Sequence, residues 1–219
     1  MTIQGSIAGT LAALDADVLA TFKFQGATRW PDEQIELYVA PAFLDPAECG
    51  ALVSLIDRNR VPSTVVEGDA AWRTSETCSF DPSEPVVQLL DLRLSMFLGI
   101  NPVNGEPNQG QRYGVGQEFK LHADYFAAHH DDAITHVSRC GQRTWTAMIY
   151  LNEPEEGGET FFHHLDHGFT PELGTMLCWN NLTPEGRPNP RTLHQGKPVL
   201  RGAKYVITKW FRQGPWNPA

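Results

Sequence analysis

A histidine followed two residues later by a carboxylate is the pattern with the most chemistry in this sequence. On a β-strand, residues i and i+2 point to the same side. Such a pair therefore offers an imidazole and a carboxylate to one metal ion. A second imidazole from a distant segment completes the two-histidine, one-carboxylate donor set that suits iron(II) and leaves positions open for further ligands. Alone, the pattern is weak. With 8 His and 26 acidic residues in 219 positions, chance supplies roughly one match. The chain holds four: His122-Ala-Asp124, His129-His-Asp131, His130-Asp-Asp132 and His164-Leu-Asp166.

Context separates them. His122 and Asp124 lie in EFKLHADYF, where polar residues alternate with Phe119, Leu121 and Ala123, as on a half-buried strand. His129 to Asp132 fall in AAHHDDAITHVSRCG, which has no strand period and reads as a solvated loop. His164-Leu-Asp166 sits in HHLDHG between two apolar segments, the natural place for a hairpin turn. The third metal ligand should come from a later strand, and His194 in TLHQG is the candidate. Taken alone, His194 reads as a structural histidine; its weight comes from Lys204, ten residues further on.

These residues need a scaffold. Asp45-Pro46-Ala47-Glu48 predicts a helix start with a capping box, and Cys49, Leu52, Val53 and Ile56 continue it as an apolar stripe. A second helix is predicted after Asp81-Pro82, with Val86, Leu89, Leu90, Leu94 and Phe97 inward and Gly99 near its end. From about Gln109 the texture changes to short β-branched and aromatic segments: Glu118 to Phe126, Arg143 to Leu151, Glu159 to Phe162, Gly174 to Trp179 and Lys204 to Phe211. Many short strands punctuated by glycine and proline predict an antiparallel sandwich or barrel. The expectation is one domain over 1–219: a support region of helices and strands at 1–108 packs on a jelly-roll core at 109–213.

Composition narrows the partners. Apolar residues make up 41% and charged residues 20% of the chain, as in an ordinary globular protein. A net charge of -9 argues against nucleic acid as the main partner. No run approaches the ~18 apolar residues of a membrane span, and the N-terminal stretch lacks the basic region of a signal peptide. Cys49, Cys78, Cys140 and Cys178 form no C-x-x-C motif. The expectation is a cytoplasmic protein with reduced thiols and no membrane partner.

At His194–Lys204 the chain resembles the prolyl 4-hydroxylase-like branch of the 2-oxoglutarate/Fe(II) dioxygenases. The matching blocks are RYGVGQEFKLHADYF, GQRTWTAMIYLNEPEEGGETFF, TPELGTMLCWNN and LHQGKPVLRGAKYVITKWF, in that order. Trp72-Arg73-Thr74-Ser75 also resembles a step found upstream in that family. The resemblance implies a double-stranded β-helix (jelly roll), mainly β with flanking helices, and Fe(II) held by His122, Asp124 and His194. It implies 2-oxoglutarate and O2 as cosubstrates, with ascorbate as a reductant that restores oxidised iron. Lys204 would pair with the distal carboxylate of 2-oxoglutarate, Tyr113 and Thr160 would donate hydroxyls to it, and Trp210 would line its pocket. Arg143 matches a basic residue near the substrate entrance.

The implied reaction decarboxylates 2-oxoglutarate to succinate and hydroxylates an unactivated C–H. Retention of Asp124 speaks against halogenation, which in related enzymes frees that ligand position for halide. The expected substrate is a peptidyl-proline, with a free amino acid or small metabolite as the alternative. Departures from the family pattern fall around the substrate: Phe119 replaces a frequent tyrosine, Tyr205 a tryptophan, and Arg212 a histidine. The segment Tyr125 to Gln142, with His129, His130 and His136, is a candidate substrate lid. Two other classes stay open: a jelly-roll hydrolase or isomerase using zinc or manganese, and a non-catalytic binding module. Oligomeric state is not legible.

Overall fold

The computed structural model describes residues 22–63, 72–127 and 137–216. Helix α1 (Pro46–Asn59) starts where its sequence demands: Asp45 accepts from the Glu48 amide and the Glu48 side chain accepts from the Asp45 amide, with Pro46 in the first turn. Cys49, Leu52, Leu55 and Ile56 are its buried face. Helix α2 (Pro85–Leu98) begins later than Asp81-Pro82 suggests, because the Asp81 carboxylate accepts from the Ser83 amide and closes a turn first. Gly99 ends α2 at φ 66, the left-handed conformation that glycine tolerates. Leu89, expected to face inward, is 47% exposed.

Fourteen strands follow the chain: β1 (Thr28–Arg29), β2 (Leu37–Ala40), β3 (Val61–Pro62), β4 (Glu76–Ser79), β5 (Gln109–Tyr113), β6 (Phe119–His122) and β7 (Arg143–Tyr150), then β8 (Glu156–Gly157), β9 (Thr160–Phe162), β10 (His167–Phe169), β11 (Met176–Asn180), β12 (His194–Gly196), β13 (Val199–Arg201) and β14 (Lys204–Arg212). They form an eight-stranded sheet in the order β1-β2-β11-β7-β14-β5-β4-β3, a four-stranded sheet β10-β9-β12-β6 and the pair β13-β8. All strand pairs within these sheets are antiparallel. This is the jelly roll, and the N-terminal half contributes four strands to its larger sheet as well as the helices.

The molecule is layered as helices, large sheet, small sheet. One core lies between helices and large sheet, joining Leu52, Ile56, Leu90 and Leu94 to Ala147, Ile149, Met176, Cys178, Ile207 and Phe211. The second lies between the sheets and joins Met148, Tyr150, Leu177, Trp179 and Val206 to Phe162. Consecutive residues of β7, β11 and β14 thus alternate between two cores. Burial on both faces explains why these strands read as near-continuous apolar runs.

Two sequence expectations change here. The strand expected over Glu118 to Phe126 is only Phe119–His122, so Asp124 lies beyond its end. Moreover, His194 pairs with His122 while Gly196 pairs with Phe119: three steps on β6 oppose two on β12. That is a β-bulge, and it puts Phe119 and His122 on the same side, while Leu121 is 36% exposed. His164-Leu-Asp166 does lie in the turn joining β9 to β10, with Asp166 at φ 46. His129 to Asp132, His136 and the middle of the expected lid, 128–136, lie outside the described residues.

Candidate functional site

The two inner faces enclose a cavity with His122, Asp124 and His194 in its wall. One ligand atom from each of the three lies within 4.8 Å of the others. His122 Nε2 is 3.7 Å from Asp124 Oδ1, and the two imidazole centroids are 4.2 Å apart. Each ring is held by its other nitrogen: His122 Nδ1 is 2.7 Å from the Lys120 carbonyl and His194 Nδ1 is 2.9 Å from the Thr192 carbonyl. A carbonyl only accepts, so both Nδ1 atoms carry the proton and both Nε2 lone pairs are free for a metal.

Electrostatics agree with a ligand role. Burial, with His194 alongside, pushes the His122 pKa down to about 3, so its ring is neutral. Burial opposes ionisation of Asp124, but His194, His122 and Arg143 outweigh it and hold the carboxyl below its ordinary value. Asp124 Oδ2 accepts from Thr146 Oγ1 at 2.8 Å, which in turn accepts from Asn181 Nδ2 at 2.8 Å. Two imidazole nitrogens and one carboxylate oxygen on one side are the donor set for iron(II).

A cation sits elsewhere in the same cavity. Lys204 pairs in register with Tyr113 across β14 and β5, and its ammonium lies 5.5 Å from the Tyr113 ring centroid. A Cβ on Gly196 would sit 3.9 Å from Lys204 Nζ, and Thr160 pairs with Gly196. Lys204, Tyr113 and Thr160 therefore converge. Lys204 is 3% exposed, no carboxylate among the described residues forms an ion pair with it, and burial lowers its pKa to about 7. Gln111 Nε2 and Trp210 Nε1 are buried cavity donors without acceptors among the described residues. A buried cation and spare donors fit a carboxylate-bearing ligand reaching from this end to the metal.

Phe119 stacks on His122 with centroids 3.6 Å apart, and the Arg73 guanidinium lies 5.0 Å from the Phe119 ring centroid. Arg143 and Arg212 do not line the cavity. Instead Arg143 binds both oxygens of buried Glu106, at 2.7 and 2.8 Å, and Arg212 adds a contact at 3.0 Å. Arg143 reaches the site indirectly, 4.1 Å from the Trp210 ring and 3.4 Å from the Asp124 carbonyl. Sequence reasoning passed over Glu106, Gln111, Thr146 and Asn181. A signal existed for Thr146, since period two on β7 puts it on the face of Met148 and Tyr150.

Comparison with known proteins now bears on this geometry. Residues 108–212 match the 2OG-Fe(II) oxygenase superfamily. A probable prolyl 4-hydroxylase 8 of Arabidopsis thaliana is 31% identical, over 82% of this chain and 69% of that protein. A probable prolyl 4-hydroxylase 3 of the same plant is 29% identical, over 90% of this chain and 79% of that one. The crystal structure of a viral collagen prolyl hydroxylase from Paramecium Bursaria Chlorella virus-1, in complex with 2OG, superposes with a TM-score of 0.65 and 30% identity. That match covers 80% of this chain and 95% of the viral one.

Proposed function

Because the chain belongs to the prolyl 4-hydroxylase-like branch of the 2-oxoglutarate/Fe(II) oxygenases, we propose that it is a peptidyl-proline hydroxylase working at the His122–Asp124–His194 cavity. The observation that carries this reading is the pairing of that triad with Lys204, a buried lysine with no carboxylate at ion-pair distance among the described residues, Glu159 acting on it only from further away. The substrate class is supported by relatives whose names describe prolyl hydroxylation.

In this mechanism His122 Nε2, His194 Nε2 and Asp124 Oδ1 hold the metal on one side. Lys204 anchors the distal carboxylate of 2-oxoglutarate, with Tyr113 and Thr160 as hydroxyl donors to it. Trp210 and Phe119 wall the cavity and exclude water. Bound iron(II) would couple O2 to the oxidative decarboxylation of 2-oxoglutarate, one oxygen atom ending in succinate, released with CO2, and the other in the hydroxylated substrate. Arg143, braced by Glu106, stands behind Trp210 and the segment carrying Asp124. We assign Arg143, Arg212 and Phe119 to the substrate side, acting through that wall. Ascorbate would serve as a reductant.

A free amino acid or small metabolite is the second reading. Phe119 favours it, since its ring lies flat on His122 and offers no hydroxyl to a peptide. A net charge of -9 supports peptide over nucleic acid as partner. Four buried free cysteines support a reducing compartment such as the cytoplasm.

Mass spectrometry of proline-rich peptides incubated with the full chain, Fe(II), 2-oxoglutarate and oxygen tests the proposal. We expect peptide-dependent succinate and a product heavier by about 16 Da, both lost in His194→Ala. The same mass gain on free amino acids alone would move the assignment to the second reading. No succinate with any substrate, alongside activity with zinc or manganese, would sink it.

A further inference from the structure

We propose that Thr146 and Asn181 are positioning residues that hold Asp124 as a one-oxygen metal ligand. This rests on the metal reading above and adds a device that the triad alone does not contain. His122 is the last residue of β6, so Asp124 lies beyond the ladder and no pleat fixes its side chain. Something else must orient the carboxylate.

The hydrogen bonds have one consistent direction. A carboxylate only accepts, so the Thr146 hydroxyl donates to Asp124 Oδ2, at 2.8 Å. With its proton spent, Thr146 Oγ1 must accept from its other neighbour, which assigns the Asn181 atom 2.8 Å away as the amide nitrogen. Asp124 is 6% exposed, and Thr146 and Asn181 are fully buried, so water does not replace these bonds if they break. The relay is itself anchored. Trp179 pairs with Thr146 across β11 and β7, and the Asn181 backbone N–H donates to the Thr144 carbonyl at 2.7 Å. The large sheet thus grips the carboxylate that completes a site whose histidines stand on the small sheet.

With Oδ2 engaged, Oδ1 is the oxygen facing His122 Nε2, at 3.7 Å. Binding a metal through both oxygens would require Oδ2 to leave the Thr146 hydroxyl in a dry environment. The relay therefore keeps open a coordination position that a chelating carboxylate would fill. Thr146 and Asn181 act through Asp124 and touch neither metal nor substrate.

The test is anaerobic Fe(II) affinity of the full chain and of Thr146→Val, Thr146→Ser and Asn181→Leu. It is read together with the visible absorption of the Co(II)-loaded proteins, which reports coordination number. We expect Thr146→Val to lose Fe(II) affinity about 10- to 100-fold and to change the Co(II) spectrum. Thr146→Ser should restore both. Asn181→Leu should weaken affinity roughly 2- to 10-fold and carries the test should Thr146→Val fail to fold. Wild-type affinity and spectrum in the folded valine or leucine variants would overturn the relay alone. Failure of the unmodified chain to bind Fe(II) would overturn the metal reading and the relay with it.

Discussion

Lys204 carries the most charge-sensitive step of the site. Its ammonium titrates at about 7 in the free protein because burial disfavours the charged form. The unfolded chain keeps that proton up to the ordinary lysine range near 10.5. Between these values the unfolded state binds more protons, so this residue's penalty on folding shrinks as pH rises. Binding a carboxylate runs the other way, since it needs the protonated form. We expect 2-oxoglutarate affinity to fall as pH rises above about 7, with proton uptake on binding, measured by calorimetry in two buffers. Lys204→Ala should weaken 2-oxoglutarate binding by about 100-fold and flatten that pH dependence. His122 and Asp124 could be picked out from type, spacing and strand alternation, whereas His194 and Lys204 gained their weight from the family resemblance at that spacing. Thr146 showed only its face, through the period of β7, and Asn181 not even that, because a hydrogen-bonded relay between strands leaves no pattern of partners along one strand.

At the level of elements, local rules were readable where the cause is local. The α1 capping box depends on Asp45 and Glu48 three residues apart, and Asp45→Ala should cost about 1 kcal/mol in denaturant unfolding. The start of α2 was misplaced because Asp81-Pro82 and Glu84-Pro85 are similar signals, and only the turn to Ser83 decides between them. Gly174 is a harder constraint. At φ 73 it faces the Leu44 carbonyl, and an added Cβ would stand 2.1 Å from that oxygen. Gly174→Ala should destabilise by more than the ~1 kcal/mol of a simple glycine effect, because the clash is with backbone. The Glu106–Arg143–Arg212 cluster joins the ends of β7 and β14. Glu106→Ala removes the buried carboxylate shared by Arg143 and Arg212 and should cost roughly 3–5 kcal/mol, read as a lower denaturant midpoint.

The whole molecule is a three-layer sandwich in which a ligand site lies between the inner layers. Ligands that bind only the folded state must stabilise it. Fe(II) with 2-oxoglutarate at 100 times its dissociation constant should add about 2.7 kcal/mol, roughly 5–10 °C in melting temperature. A chelator should reverse the shift, and Lys204→Ala should reduce it. The sequence conveyed the layer order only in part. Doubly buried strands such as β7 look the same whether a helix or a second sheet covers each face.

The bulge in β6 makes the site sensitive to chain length as well as to residue type. One extra residue between Phe119 and His122 opposes β12, and that extra residue turns His122 toward His194. A homologous segment shorter by one residue could retain every metal ligand in its sequence and yet direct the imidazole outward. Insertions and deletions between 119 and 122 should therefore be rarer among active relatives than substitutions at Lys120 or Leu121.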